Sequence, residues 1–396
     1  MKSYLYPLER KLVIVTVISD LVTDYRVHKI CQTLYQDGYK VLLIGSVKKS
    51  GLPLKQREYQ TDRIKLWFNR TALFYMEFNI RLFFRLIMEK GDIYLGNDLD
   101  VMPATMLLAR IKKKPIVYDS HEYYLGTAGL DQKPLRRSIW KFIESRVFSG
   151  LKYMFTVSES ISNLYRKNYH KKLFLVRNLP YKNPCYPELT QEEKDWIESV
   201  DRQIPNGKNM LILQGAGLNE SRGAEELVYS MLFLEASHYH LMVVGGGDIF
   251  GKLEKMVEQN RLSDKITLIP KVPFAVLGHF TRKAHLGISI DKPTVINHKY
   301  SLPNKLFEYL HAGVPVLASR LVEVERIINQ YDVGDYIDDY HPENIARKIK
   351  EIFSHPETLH RWKQNTCLVR EALNWENESK IVIDIFKQVE KESVNY

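Results

Sequence analysis

GISIDKPTVINHKYSLPNKLFEYLHAGVPVLAS, residues 287–319, runs from strand to loop to helix to strand. LGISID (286–291) is a short apolar run ending in an acid, and the loop DKPTVINHKY (291–300) is polar. Pro303 suits the first turn of a helix because its φ is already fixed there, and Leu306, Phe307 and Leu310 then share a core face. Gly313 closes that helix, and Pro315 leads into the buried run Val316–Ser319. A helix entered in this way offers backbone N–H groups and the positive end of its dipole to an anion. Lys305 adds a mobile full charge. Glu308 lies one turn beyond Asn304 on the same face, ~6 Å of rise from the helix mouth. That is about the distance from a diphosphate to the vicinal diol of a nucleotide, and a carboxylate accepts from two neighbouring hydroxyls. The local reading is a nucleoside-diphosphate pocket; the alternative is an ordinary amphipathic helix with Lys305 and Glu308 as a solvated pair.

Upstream, MLILQG (210–215) reads as a strand and GAGLNESRGAEELV (215–228) as a glycine-rich turn into a helix. That glycine-rich turn into a helix makes a second phosphate cradle by the same physics. HLMVVGGGD (240–248) is a strand into a glycine turn, and KITLIPKVP (265–273) a strand whose exit holds Lys271 and Val272. Downstream of Ser319 the pattern continues αβα, and Trp375 marks a turn into a last helix carrying Ile381, Ile383, Ile385 and Phe386.

The N-terminal half repeats the alternation. KLVIVTV (11–17), a helix with Val27, Ile30, Cys31 and Leu34 at core spacing, and KVLLIGS (40–46) make a β-α-β unit with a parallel sheet. Asp24 and Arg26 open the first helix at the carboxyl end of the first strand, where open α/β sheets bind ligands. They contact an acceptor there, or Asp24 caps the helix and Arg26 is solvated. No G-x-G-x-x-G follows the strand, which argues against a dinucleotide site. Residues 72–90 form a helix apolar over much of its surface, with Arg81 and Arg85 one turn apart, suited to its own sheet or to an anionic membrane surface. After DIYLG (92–96), Asp98 and Asp100 offer three readings: a cap for the following helix, a lining of the cleft, or a Mg²⁺ site. In PIVYDSHEYY (115–124), Asp119, Ser120 and His121 are triad residue types, but sequence neighbours do not generally line up as nucleophile, base and orienter, which argues against a hydrolase.

SLPNKLFEYLHAGVPVLAS (301–319) resembles the nucleotide-sugar signature of GT-B-fold retaining glycosyltransferases, in particular family 4 (glycosyl transferases group 1). That family carries two glutamates with seven residues between them. Glu308 matches the second, on the ribose; Tyr300 stands at the place of the first, near the sugar. The resemblance further implies a donor site of Gly215, Gly217, Arg222, Lys271, Val272, Tyr300, Pro303, Asn304, Lys305 and Glu308. Ala216 stands where the family often has Arg, so that Arg222 and Lys305 share the diphosphate. It makes His121, at a strand end beside the donor sugar, the candidate catalytic residue, with Asp24, Arg26, Asp98, Asp100 and Glu122 toward the acceptor. It implies cationic neutralisation of the diphosphate: no metal and no cofactor, the nucleoside-diphosphate sugar being a substrate. The strand-to-helix crossing TVSESI (156–161) and the turn at Asn178 fit the same family.

The expected architecture is α/β, two Rossmann-like domains facing a central cleft: 1–182 for the acceptor, 183–208 connecting, 209–375 for the nucleotide sugar, and 376–396 a helix packing back on the first domain. At 396 residues, two cores are needed. Cys31, Cys185 and Cys367 are odd in number and widely spaced, which fits neither a disulfide framework nor a metal site. No apolar run spans a bilayer, and the N-terminus lacks the apolar core of a signal peptide, so the expected location is cytoplasmic, with peripheral attachment at the inner face of the membrane as an option. The net charge of +10 suits an anionic partner. The expected function is sugar transfer to a glycan or lipid-linked acceptor in cell-surface polysaccharide or glycolipid synthesis, with no nucleic-acid partner. The rivals are a nucleotide-sugar epimerase of the same fold and a non-catalytic glycan- or membrane-binding module.

Overall fold

A computed structural model describes residues 10–47, 53–68, 71–127, 129–130, 132–184 and 188–393, so Cys185 lies outside the described residues. The chain forms two units, one ending at Asn178 and resumed from Asn377, the other Leu179–Glu376. Each is built on a parallel sheet, as expected of apolar runs alternating with amphipathic helices.

In the first unit the strands are β1 (Leu12–Thr16), β2 (Lys40–Val47), β3 (Gln60–Lys65), β4 (Ile93–Asn97), β5 (Ile116–Ser120), β6 (Tyr153–Thr156) and β7 (Phe174–Leu175). Their order is β3-β2-β1-β4-β5-β6-β7, so the winding reverses between β1 and β4. Loops after β1 and β4 therefore diverge to opposite sides and leave a crevice at the strands' carboxyl ends. Asn97 pairs with Asp119 across β4 and β5, which brings the residues just after both strands together. The helix Trp375–Ser393 buries Val382, Ile385, Phe386 and Val389 in this unit, and Phe386 meets Tyr39 edge-on. Its buried face is thus 382, 385, 386 and 389, whereas Ile381 and Ile383 are only part-buried, because the helical period selects i, i+3, i+4 and i+7. Arg177 fastens the helix through its Nε and Nη2 to Glu378 Oε1 at 2.9 and 2.5 Å.

In the second unit the strands are β8 (Asn209–Gly215), β9 (Tyr239–Gly245), β10 (Ile266–Pro270), β11 (Leu286–Ser289), β12 (Val316–Ser319) and β13 (Gly334–Ile337), in the order β10-β9-β8-β11-β12-β13. The reversal falls between β8 and β11, whose carboxyl ends lead into the glycine-rich turn and the polar loop. Within 183–208, the helix Gln191–Asp201 begins in a capping box of Thr190 and Glu193 and buries Ile197 and Val200 in this unit's core. That acidic patch is therefore folded into the second unit rather than serving as an open connection.

Candidate functional sites

At the switch point of the first unit, four charged side chains form one chain of contacts. Asp119, fully buried on β5, takes a forked pair from Arg26, Nε to Oδ2 at 2.9 Å and Nη2 to Oδ1 at 2.7 Å. Arg26 Nη1 donates to the Val176 carbonyl at 2.8 Å, so this guanidinium is neither solvated nor turned toward an acceptor. Asp119 Oδ2 also lies 3.0 Å from His121 Nε2. On the other side of the ring, Asp98 Oδ2 is 3.1 Å from Nδ1, while Asp98 Oδ1 accepts the His121 backbone N–H at 2.8 Å. Asp98 reaches this position with φ at 64°, a conformation most side chains avoid. Burial alone would discharge His121, but Asp98 and Asp119 outweigh it and raise its pKa well above the usual histidine value, which favours the imidazolium form. Burial, reinforced by Asp98, pushes the Asp100 carboxyl well up, and its buried Oδ1 has no hydrogen-bond partner.

Neither Asp98 nor Asp100 caps the following helix, Met102–Ile111, whose N-cap is Val101 without a side-chain bond. Asp24 does cap its own helix, accepting from Val27 N at 3.1 Å and from Ser19 Oγ at 2.8 Å. Ser120 is spent on Tyr165 and the Glu122 carbonyl, so this serine is not free to act as a nucleophile. Glu122 is exposed and accepts from Thr127 Oγ1 at 3.4 Å.

In the second unit, the acid ending LGISID is the hub. Asp291 is fully buried, and both candidate phosphate cations converge on it: Lys305 Nζ at 3.1 Å from Oδ2 and Arg222 Nη1 at 3.3 Å from Oδ1. Gly223 allows this approach; with φ at 75°, a Cβ there would fall 2.3 Å from the Ile290 carbonyl oxygen. The helix Asn304–His311 starts at Pro303 with no side-chain cap. One turn in, Glu308 Oε2 accepts from Gln214 Nε2 at 2.5 Å, and Gln214 is fixed in turn by Thr281 Oγ1 at 2.8 Å and, through its backbone N–H, by the Tyr309 hydroxyl at 2.9 Å. Gln214 and Glu308 line a pocket shared with Thr281, Arg282, Phe274 and His311. Gly215 ends β8, with Gly217 exposed in the turn beyond it. Lys271 is exposed after β10, Val272 is half-buried against the core, and Tyr300 caps the carboxyl end of the short helix Ile296–Lys299. Among the described residues, no group of three acidic, histidine or cysteine side chains is arranged to hold a metal ion.

The whole chain superimposes on solved structures at low identity. A glycosyltransferase from Rickettsia africae ESF-5 is 15% identical with a TM-score of 0.70, over 97% of this chain and 99% of that one. Sucrose-phosphate synthase from Thermosynechococcus elongatus is 14% identical with a TM-score of 0.77, over 97% and 100%. Anabaena HepE, solved with UDP and glucose, is 10% identical with a TM-score of 0.71, over 98% and 100%. At such identities the likeness establishes the fold. Among curated proteins none matches by sequence. Residues 195–368 match the family model of the glycosyl transferases group 1. The chain is a GT-B-fold glycosyltransferase.

The matched stretch of this glycosyltransferase holds the whole second cluster, Gln214, Arg222, Asp291, Lys305 and Glu308, and none of the first. Asp291 and Gln214 are absent from the sequence-derived site. Their signal was a polar residue at the carboxyl end of an otherwise apolar strand, a position that open sheets reserve for ligands and their supports. Asp119 is absent from the sequence-derived site as well, although this buried acid, between a distant Arg and a His two residues on, anchors the first cluster.

Proposed function

We propose that the glycosyltransferase takes its sugar from a nucleoside-diphosphate donor held by the second unit and passes it to a glycan or lipid-linked acceptor received by the first, with retention and without a metal ion. The observation that carries this reading is the pinning of Arg222 and Lys305 by buried Asp291 beside an uncapped helix start, one turn from Glu308. Two cations and a helix N-terminus suit a diphosphate, and a carboxylate already fixed by Gln214 suits a ribose diol. As the bond from sugar carbon to phosphate oxygen breaks, its electron pair leaves with the diphosphate, whose growing charge Arg222 and Lys305 stabilise. The acceptor oxygen bonds to the same face of the carbon, and its proton passes to the departing phosphate oxygen. His121 and Asp98 meet the sugar as one hydrogen-bonded unit. Because both ring nitrogens are engaged by carboxylates, His121 acts as a fixed positive charge that positions Asp98 and the sugar, not as a base. Polysaccharide or glycolipid synthesis on the cytoplasmic side is the setting this reading favours.

A thermal-shift panel of UDP, GDP and ADP and their sugars tests the donor site. Binding N and not U raises the melting temperature with ligand concentration, so one nucleoside diphosphate is expected to stabilise the protein. No shift with any would overturn the reading in favour of a non-catalytic module. Interconversion of UDP-N-acetylglucosamine with its epimer in the absence of acceptor would establish the epimerase instead. Turnover is expected to survive EDTA; its loss, restored by Mg²⁺ or Mn²⁺, would make Asp98 and Asp100 metal ligands.

A further inference from the structure

Three helices of the first unit, Thr71–Ile87, Met102–Ile111 and Pro134–Gly150, lie on one side of its sheet. Phe78, Leu82 and Leu86 of the first and Ala104 and Leu108 of the second share a core with Ile14 and Tyr94, and Phe148 of the third meets Tyr118 edge-on. Their inward packing is thus complete. Yet the opposite side of the first helix carries Leu73, Met76, Ile80, Phe84 and Ile87, all exposed and spaced by three or four residues as one continuous seam. Leu107 and Ile111 on the second helix and Leu135, Ile139 and Phe142 on the third are exposed as well, Phe84 by 64% and Leu135 by 75%. A helix at a water-facing surface places polar residues there.

The same helices concentrate charge. Residues 71–90, 102–114 and 133–150 hold twelve lysines and arginines against three acids, nearly the whole excess behind the net charge of +10. The structure redistributes the cations expected to matter. Arg81 is tied to Glu77 at 2.8 Å and lies over the Trp67 ring at 4.4 Å, while Arg85 is tied to Asp62 and Glu89 at 2.6 and 2.5 Å. Lys133, Arg136 and Lys141, on or just before the third helix, are exposed and form no ion pair among the described residues. The one acid of that helix, Glu144, is buried.

We infer that this three-helix face docks on an anionic lipid surface, the seam of Thr71–Ile87 entering the acyl boundary and the cations of Pro134–Gly150 meeting the headgroups. An exposed apolar seam flanked by basic residues is the signature of an in-plane membrane helix. Charge excludes a second copy of the same face, since like would meet like, and a nucleic acid would leave the seam uncovered. The face also adjoins the first cluster. Tyr75, on the seam helix, stands edge-on to Trp140 at 5.5 Å, Trp140 packs on Tyr124 at 4.7 Å, and Asn79 of the seam helix donates to the Asp100 carbonyl at 2.7 Å. This narrows the acceptor of the proposed function to the lipid-linked class, and that narrowing rests on the glycosyl-transfer reading; the membrane contact does not.

Co-sedimentation with phosphatidylcholine vesicles, with and without phosphatidylglycerol, tests it. The wild type is expected to sediment with the anionic vesicles alone and to be released by salt. Arg136→Gln with Lys141→Gln should weaken binding on the order of twentyfold, at about fivefold per basic residue removed. Phe84→Ser with Phe142→Ser should abolish it, while Arg81→Gln with Arg85→Gln should leave it within about twofold, each protein's melting curve confirming that it is folded. Equal sedimentation with neutral and anionic vesicles, unchanged binding by the Arg136/Lys141 variant, or a dimer in solution that Phe84→Ser and Phe142→Ser dissociate would overturn the inference. Nucleotide affinity measured on the same proteins separates the two readings, because its absence beside intact vesicle binding would remove the transferase reading and leave the docking face standing.

Discussion

Asp98→Asn tests how the first cluster works. The asparagine keeps an oxygen for the His121 backbone N–H but removes a negative charge that lies 3.1 Å from Nδ1. At that separation and an effective dielectric constant of about 20, the Coulomb term is on the order of 5 kcal/mol. The side chains of His121 and Asp98 are 20% and 24% exposed, so solvent screens part of it and about 3 kcal/mol is a fair expectation. Proton affinity at His121 should therefore fall on the order of a hundredfold, at about 1.4 kcal/mol per factor of ten. The sign follows from the raised folded-state value: stability from the charged ring is fully present below the unfolded histidine pKa of about 6.5 and is lost as pH rises through the folded value. In Asp98→Asn the folded value is lower, so that contribution is smaller and its loss is complete at a lower pH. Imidazole ¹⁵N shifts followed by NMR from acid to alkaline pH should show the wild-type ring protonated through neutrality and the variant ring titrating earlier, with turnover falling along the same curve. An ordinary titration in the wild type, or the same titration in both proteins, would refute the electrostatic account.

Glu308→Ala should weaken binding of the preferred nucleoside diphosphate by about 1 to 3 kcal/mol, the cost of leaving ribose hydroxyls and Gln214 unpaired; calorimetry showing wild-type affinity would remove Glu308 from the ribose. His121→Ala should lower kcat by about a hundredfold or more while nucleotide affinity stays within about twofold, since the cluster belongs to the first unit and the proposed nucleotide site to the second; a normal kcat would return His121 to a structural role. Glu144 is fully buried, and burial pushes its carboxyl up to about 7 despite the Tyr169 hydroxyl bond at 2.5 Å. Folding therefore takes up a proton between pH 4.5 and about 7, and stability should fall by about 3 kcal/mol as pH rises across that window. Urea unfolding of Glu144→Gln should show that slope flattened, and an unchanged slope would mean that another group sets it.

Much of the architecture lay in local pattern. Runs such as KLVIVTV and MLILQG, which bury Val13–Val17 and Met210–Gln214, identify strands without reference to their neighbours, and the helix mouth at Pro303 with Lys305 and Glu308 one turn apart needed only helical geometry. The exposed seam at Leu73, Met76, Ile80, Phe84 and Ile87 was legible as apolar helix surface, but sequence could not say which of the helix's two apolar sides met the sheet. What each charged residue does was decided elsewhere. Arg26 meets Asp119 across 93 positions, Gln214 meets Glu308 across 94, and Arg222 meets Asp291 across 69. Such partners are set by strand order, and the reversals between β1 and β4 and between β8 and β11 leave no mark in local periodicity. Apolar alternation fixes which face a residue occupies, because that depends on its own backbone; whether a charge there is solvated, capping or locked to another depends on what a distant strand brings beside it.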